Sequence, residues 1–131
     1  MTRGYEELVA AAAAEVRSYA PAEAIDRLDD DGVLFVDVRD APERWNEGGV
    51  PGAVHASRGM LEFHVDPASP YHVPDLVDGR ELIFYCAAGG RSLLAARTAR
   101  EMGLERVANL EGGVRAWRDA GGEVEAVQPT M

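Results

Sequence analysis

The hydrophobic pattern changes period several times along the 131-residue chain. Residues 5–19 are rich in Ala, Glu and Leu and contain neither Pro nor Gly, which predicts one continuous helix. Pro21 suits the first turn of a second helix running to about Leu28. Val33 to Val38 is a short apolar, partly β-branched run between a Gly turn and a charged loop, the signature of a strand buried on both faces. Ala53 to Ala56 follows a Pro51-Gly52 turn and predicts a short strand, and Glu81 to Tyr85 a clearer one. From Arg91 to Met102 the positions Leu94, Ala95, Thr98, Ala99 and Met102 recur with helical spacing, and Gly103 closes the helix. Val107 to Leu110 predicts a further strand, Val114 to Asp119 a short helix, and Val124 to Val127 an end strand. Residues 57–79 read as a long irregular connection, a kind of loop that often carries function.

Alternating helices and buried strands predict an α/β domain with a mostly parallel sheet covered on both sides. The length suits one such domain, with residues 1–20 as a helical extension packed on it and 21–131 as the domain itself. The formal charge of −10 argues against nucleic-acid and anionic-membrane partners, which need a basic face. All 13 cationic side chains are Arg, so anion recognition falls to Arg or to backbone N–H groups. No apolar run approaches the ~20 residues that span a bilayer. The apolar run at Val9 to Ala14 is flanked by acidic residues and lacks a basic leader, so a cytoplasmic location is expected.

The chemistry concentrates in Tyr85-Cys86-Ala87-Ala88-Gly89-Gly90-Arg91-Ser92, which holds the only cysteine. One cysteine cannot form an internal disulfide, and His55, His64 and His72 are scattered, so neither a metal site nor a cofactor is expected. Cys86 falls between a predicted strand and a predicted helix, where a parallel sheet presents helix N-termini to anions. Gly89 and Gly90 allow the loop to curl until its N–H groups converge. Such a nest, with Arg91, favours a thiolate and equally an oxyanion carrying a transferable sulfur. The alternative is a small buried residue at a strand end, a common place for free Cys.

These residues resemble the rhodanese family of single-domain sulfurtransferases, whose active-site loop reads Cys-x-x-Gly-x-Arg or Thr. Here the loop is Cys86-Ala87-Ala88-Gly89-Gly90-Arg91. Val36-Asp37-Val38-Arg39 with Glu43 and Val50-Pro51-Gly52-Ala53, and Asn109-Leu110-Glu111-Gly112-Gly113 with Trp117, are similar to two further family signatures, and the resemblance spans about residues 21–126. It implies a three-layer α/β/α domain with a central sheet of about five strands. It also implies a nucleophile, Cys86, that takes sulfane sulfur from thiosulfate or a related small anionic donor. The resulting persulfide passes that sulfur to cyanide, a cellular thiol or a protein acceptor. Ala87, Ala88, Gly89, Gly90, Arg91 and Ser92 would hold the donor, with Asp37 and Arg39 as structural support.

The chain departs from the family pattern at Ala87, where Arg is often found, and at Gly49, where His is common. Arg58 could supply the missing charge by reaching over the cup, or could be a surface residue. Met60, Leu61 and Phe63 could rim an acceptor site or cap the core. Two other functions compete. Cysteine phosphatases of related fold, with arsenate reductases as a weaker rival, place five residues between Cys and Arg, whereas four separate Cys86 from Arg91. A non-catalytic binding or regulatory module would not need the intact cup.

Overall fold

The computed structural model describes residues 1–129. Its five strands are β1 (Arg17–Tyr19), β2 (Val33–Asp37), β3 (Val54–His55), β4 (Glu81–Tyr85) and β5 (Val107–Leu110). All are parallel, in the order β1-β5-β4-β2-β3. The helices are α1 (Tyr5–Glu15), α2 (Pro21–Ile25), α3 (Ala41–Glu47), α4 (Leu61–Val65), α5 (Gly90–Glu101) and α6 (Gly113–Asp119).

Side-chain alternation along the strands divides the core into two layers. Leu34, Val36, Leu82, Phe84 and Cys86 meet Leu61 of α4 and Ala95, Ala96 and Ala99 of α5 on one face. Phe35, Ile83, Tyr85, Ala108 and Leu110 meet Ala24 of α2 and Val114 and Trp117 of α6 on the other. Phe35 and Trp117 pack edge to face at 5.3 Å. The same alternation that buries Phe84 therefore aims Cys86 at α5. From β2 the chain goes on to β3 on one side and β4 on the other, so the carboxyl ends of β2 and β4 flank a topological switch point, the usual place for a site in an open parallel sheet.

Three expectations need correction. The helix expected over 5–19 stops at Glu15, and Arg17–Tyr19 instead pairs with β5 through Ala108, Asn109 and Leu110. Helix propensity loses to tertiary pairing there: Val16 and Tyr19 are buried, and the Tyr19 hydroxyl donates to Glu81 on β4. The last residues of the 1–20 extension are thus a strand of the sheet. Val124 to Val127 is not a strand; a single antiparallel bridge joins Glu125 to Gly49. The stretch 57–79 is only partly irregular, since it holds α4 and two 3₁₀ turns, Arg58–Met60 and Pro74–Val77. Helix α3 was not expected, although Asp40-Ala41-Pro42-Glu43 carries an N-terminal capping pattern in which the Glu43 carboxylate accepts the Asp40 N–H at 2.9 Å.

Candidate active site

The loop that leaves β4 turns into α5 at Gly89, whose φ of 108° is one that side-chain-bearing residues rarely adopt. This turn brings the Gly89 N–H to 3.1 Å from Cys86 Sγ. The Ser92 hydroxyl, in the first turn of α5, stands 3.4 Å from the same sulfur. It also lies 2.6 Å from Asn109 Oδ1 and 3.2 Å from the Gly89 carbonyl, and Asn109 in turn donates to Ser18 on β1. Burial works to raise the Cys86 pKa, but the Ser92 hydroxyl and the N–H groups of Ser92, Gly89 and Ala88 outweigh it and hold the thiol below its ordinary value.

Cys86 is 1 % exposed and forms the floor of a cleft of about 520 Å³. Ala87, Ala88, Gly90 and Arg91 line it with Glu43 of α3, Arg115 of α6, Leu94 of α5, and Tyr5 and Val9 of α1. Ala87 is itself buried, whereas Ala88 is exposed.

Arg91 does not stand free in the cup. Both its terminal nitrogens donate to Glu43 at 2.8 Å, a two-pronged ion pair that lowers the Glu43 pKa to about 2. The loop amides, rather than this guanidinium, make the direct contacts to sulfur. Arg58 falls outside the cleft: its side chain donates to Thr98 at 3.2 Å and pairs with Glu62, so it does not replace the charge absent at Ala87. Leu61 is fully buried and caps the core, while Phe63 is exposed and packs edge to face on Tyr71.

Asp37 and Arg39 form a buried network below the loops. Arg39 donates to both Asp37 oxygens and, through Nη2, to the Gly48 carbonyl at 2.6 Å. Arg44 and the Tyr85 hydroxyl also donate to Asp37 Oδ2. Burial alone would raise the Asp37 pKa; its bonds with Arg39 and Tyr85 hold it below the ordinary carboxylate value. The Tyr85 oxygen accepts the Val50 N–H. A side chain at Gly49 would start with its Cβ 3.0 Å from that hydroxyl, which accounts for glycine at this departure from the family pattern. Among the described residues no cluster of three or more His, Cys, Asp or Glu side chains is placed to hold a metal.

The Rhodanese-like domain model matches residues 20–120. The chain belongs to the rhodanese-like domain family. A sulfurtransferase from Allochromatium vinosum is 34% identical over 89 residues, 68% of this chain and 75% of that protein. A solved structure from Rhodopseudomonas palustris, a protein of unknown function described as a possible tyrosine phosphatase, is 44% identical with a TM-score of 0.92, covering 95% of this chain and 96% of that one. The polysulfide-sulfur transferase homodimer of Wolinella succinogenes is 27% identical with a TM-score of 0.70, covering 94% of this chain and 88% of that one.

In this rhodanese-like chain Glu43 and Asn109 stand out in the sequence only as parts of signatures, and Arg115, Tyr5 and Val9 carry no local sign of their place at the cleft. The pairing of Glu43 with Arg91 spans 48 positions and has no local signal.

Proposed function

We propose that this rhodanese-like domain is a sulfurtransferase that carries sulfane sulfur as a persulfide on Cys86. The observation that carries the reading is the buried Sγ receiving the Gly89 N–H, backed by the Ser92 hydroxyl, at the N-terminal end of a 12-residue helix. The thiolate attacks the outer sulfur of a donor such as thiosulfate. An S–S bond forms to Cys86, the donor's own S–S bond breaks, and its electron pair leaves with sulfite. A thiophilic acceptor such as cyanide then attacks the outer sulfur, forming thiocyanate and returning the thiolate. No proton moves in either step, which agrees with the absence of a His or carboxylate bonded to Sγ among the described residues. A thiolate that must stay reduced between turnovers suits a reducing compartment such as the cytoplasm. Among the described residues, no helix is long and apolar enough to cross a membrane.

Phosphatase chemistry is the second reading, favoured by the likeness to the Rhodopseudomonas protein. Against it stand the four-residue spacing and an Arg91 fork already occupied by Glu43 rather than open to a phosphoryl group. Intact-mass measurement after incubation with thiosulfate, thiosulfonates and polysulfide separates the readings. Sulfur transfer gives one added sulfur, removed by cyanide and absent in Cys86→Ser. Phosphate-ester hydrolysis with no adduct from any donor would establish the alternative.

A further inference from the structure

The cleft above Cys86 has two sides of different chemistry. One is apolar: Leu94 projects from α5, and α1 contributes Tyr5, which is 74% exposed, and the partly buried Val9. The other is cationic, with Arg91 and Arg115. The two arginines differ in electrostatic state. Glu43 neutralises Arg91 through two 2.8 Å bonds, whereas the exposed Arg115 side chain makes no ion pair or hydrogen bond with any described residue. Arg115 is fixed at the mouth by its backbone, because its N–H donates to the Ala87 carbonyl at 3.3 Å.

Building on the sulfur-transfer reading, we infer that this cleft selects monoanionic organic sulfane donors with an apolar or aryl group over inorganic thiosulfate, with Arg115 and the Tyr5–Val9 face as specificity determinants. One uncompensated cation matches one negative charge. The second charge of thiosulfate has no free partner and approaches a thiolate in a protein of net charge −10. The apolar side offers thiosulfate nothing, yet it can take an aryl group out of water beside α1. An organic thiosulfonate, RSO₂S⁻, meets both requirements. Cys86 thiolate attacks its outer sulfur, the S–S bond of the donor breaks with its electron pair going to the sulfinate RSO₂⁻, and Cys86 is left as the persulfide. The total charge is −2 before and after.

The test is the rate of persulfide loading on the full chain, followed by quenched intact mass. Thiosulfate, methanethiosulfonate and benzenethiosulfonate are compared, each rate being divided by that donor's rate with free glutathione thiolate. Benzenethiosulfonate is expected to exceed methanethiosulfonate by about 10-fold after this correction, the factor from removing roughly 55 Å² of apolar surface from water. Tyr5→Ala and, separately, Val9→Ser should each shrink that ratio. Arg115→Gln should slow both thiosulfonates by about 10-fold, as for loss of one charge-assisted contact, and leave their ratio intact. A corrected ratio near 1 in the native chain, a ratio unmoved by both α1 variants, or thiosulfate loading as fast as benzenethiosulfonate overturns the inference while sulfur transfer stands. Failure of every donor to load Cys86 overturns both.

Discussion

Replacing Ser92 by Ala tests whether the sulfur is activated by aimed hydrogen bonds. The hydroxyl is fully buried and has one proton for three neighbours: Cys86 Sγ at 3.4 Å, Asn109 Oδ1 at 2.6 Å and the Gly89 carbonyl at 3.2 Å. In the thiol form, S–H can donate to Oγ while Oγ–H serves Asn109. In the thiolate form, the hydroxyl turns its proton to sulfur and surrenders a neutral bond. A hydrogen bond to a charged group is worth ~1.5–3 kcal/mol and a neutral one ~1 kcal/mol, so the net favour to the thiolate is about 0.5–2 kcal/mol, centred a little above 1. That difference is about one pKa unit. The variant should therefore titrate about one unit higher, because the Gly89 N–H stays in place while the hydroxyl is gone. Well below both midpoints, its thiolate fraction should be about 10-fold smaller.

The assay is the pH dependence of Cys86 alkylation by iodoacetamide, with Cys86→Ser as the blank. The pH-independent plateau reports nucleophilicity and the midpoint reports the pKa. A midpoint shifted upward with a nearly unchanged plateau is the expected result. An unchanged midpoint in a folded Ser92→Ala protein would refute the reasoning and leave the backbone N–H groups as the whole source of activation. The variant should also lose about 1–2 kcal/mol of stability, since Asn109 Oδ1 loses its buried donor.

Glu43→Gln should remove a stabilisation with a defined pH window. The native carboxyl is depressed from 4.5 to about 2 by Arg91, so its contribution is complete above about pH 4.5 and is lost as pH falls through about 2. With the Arg91 side chain 41% exposed, solvent screening leaves about 1 kcal/mol at neutral pH, and urea melts of the two proteins should converge near pH 2. Gly113→Ala should cost more than ~2 kcal/mol in the same melts, because φ is 68° there and the new Cβ would sit 2.5 Å from the Ala87 carbonyl group. Tyr85→Phe should cost ~2 kcal/mol by stranding the buried Val50 N–H, yet leave persulfide loading within about 2-fold; a large loss of loading with normal stability would give the Asp37 network a chemical role.

What the sequence disclosed follows the physical range of its signals. β2, β4 and β5 were legible because each is a short, mostly apolar run buried on both faces, and α5 because Ala95 and Ala99 recur on one side. β1 was hidden because Arg17–Tyr19 has no strand pattern of its own and continues an alanine-rich helix; its partner lies some ninety positions away in β5. The position of Cys86 between strand and helix came from local pattern, and so did the glycine turn. The fork between Arg91 and Glu43 and the placing of Arg58 against Thr98 depend on loops whose directions are set only after the sheet has assembled.

The pair Gly112-Gly113 shows how a distant motif tunes the sulfur without touching it. Gly113 lacks a Cβ that would strike the Cys86 and Ala87 carbonyls at 2.5–2.6 Å, so the start of α6 can close directly on the Cys86 loop. There the Val114 N–H donates to the Cys86 carbonyl at 2.9 Å and the Arg115 N–H to the Ala87 carbonyl at 3.3 Å. With the Ala87 carbonyl anchored toward α6, the Ala88 N–H on the opposite side of the same peptide is turned to the sulfur, beside the Gly89 N–H that stands 3.1 Å from Sγ. The dipoles that favour a thiolate are thus fixed before any donor arrives, and little reorganisation is left for the reaction itself. The same contact seats Arg115 at the cleft mouth. One backbone clamp therefore serves both halves of the chemistry: it orients the groups that charge the nucleophile and positions the cation that meets the donor.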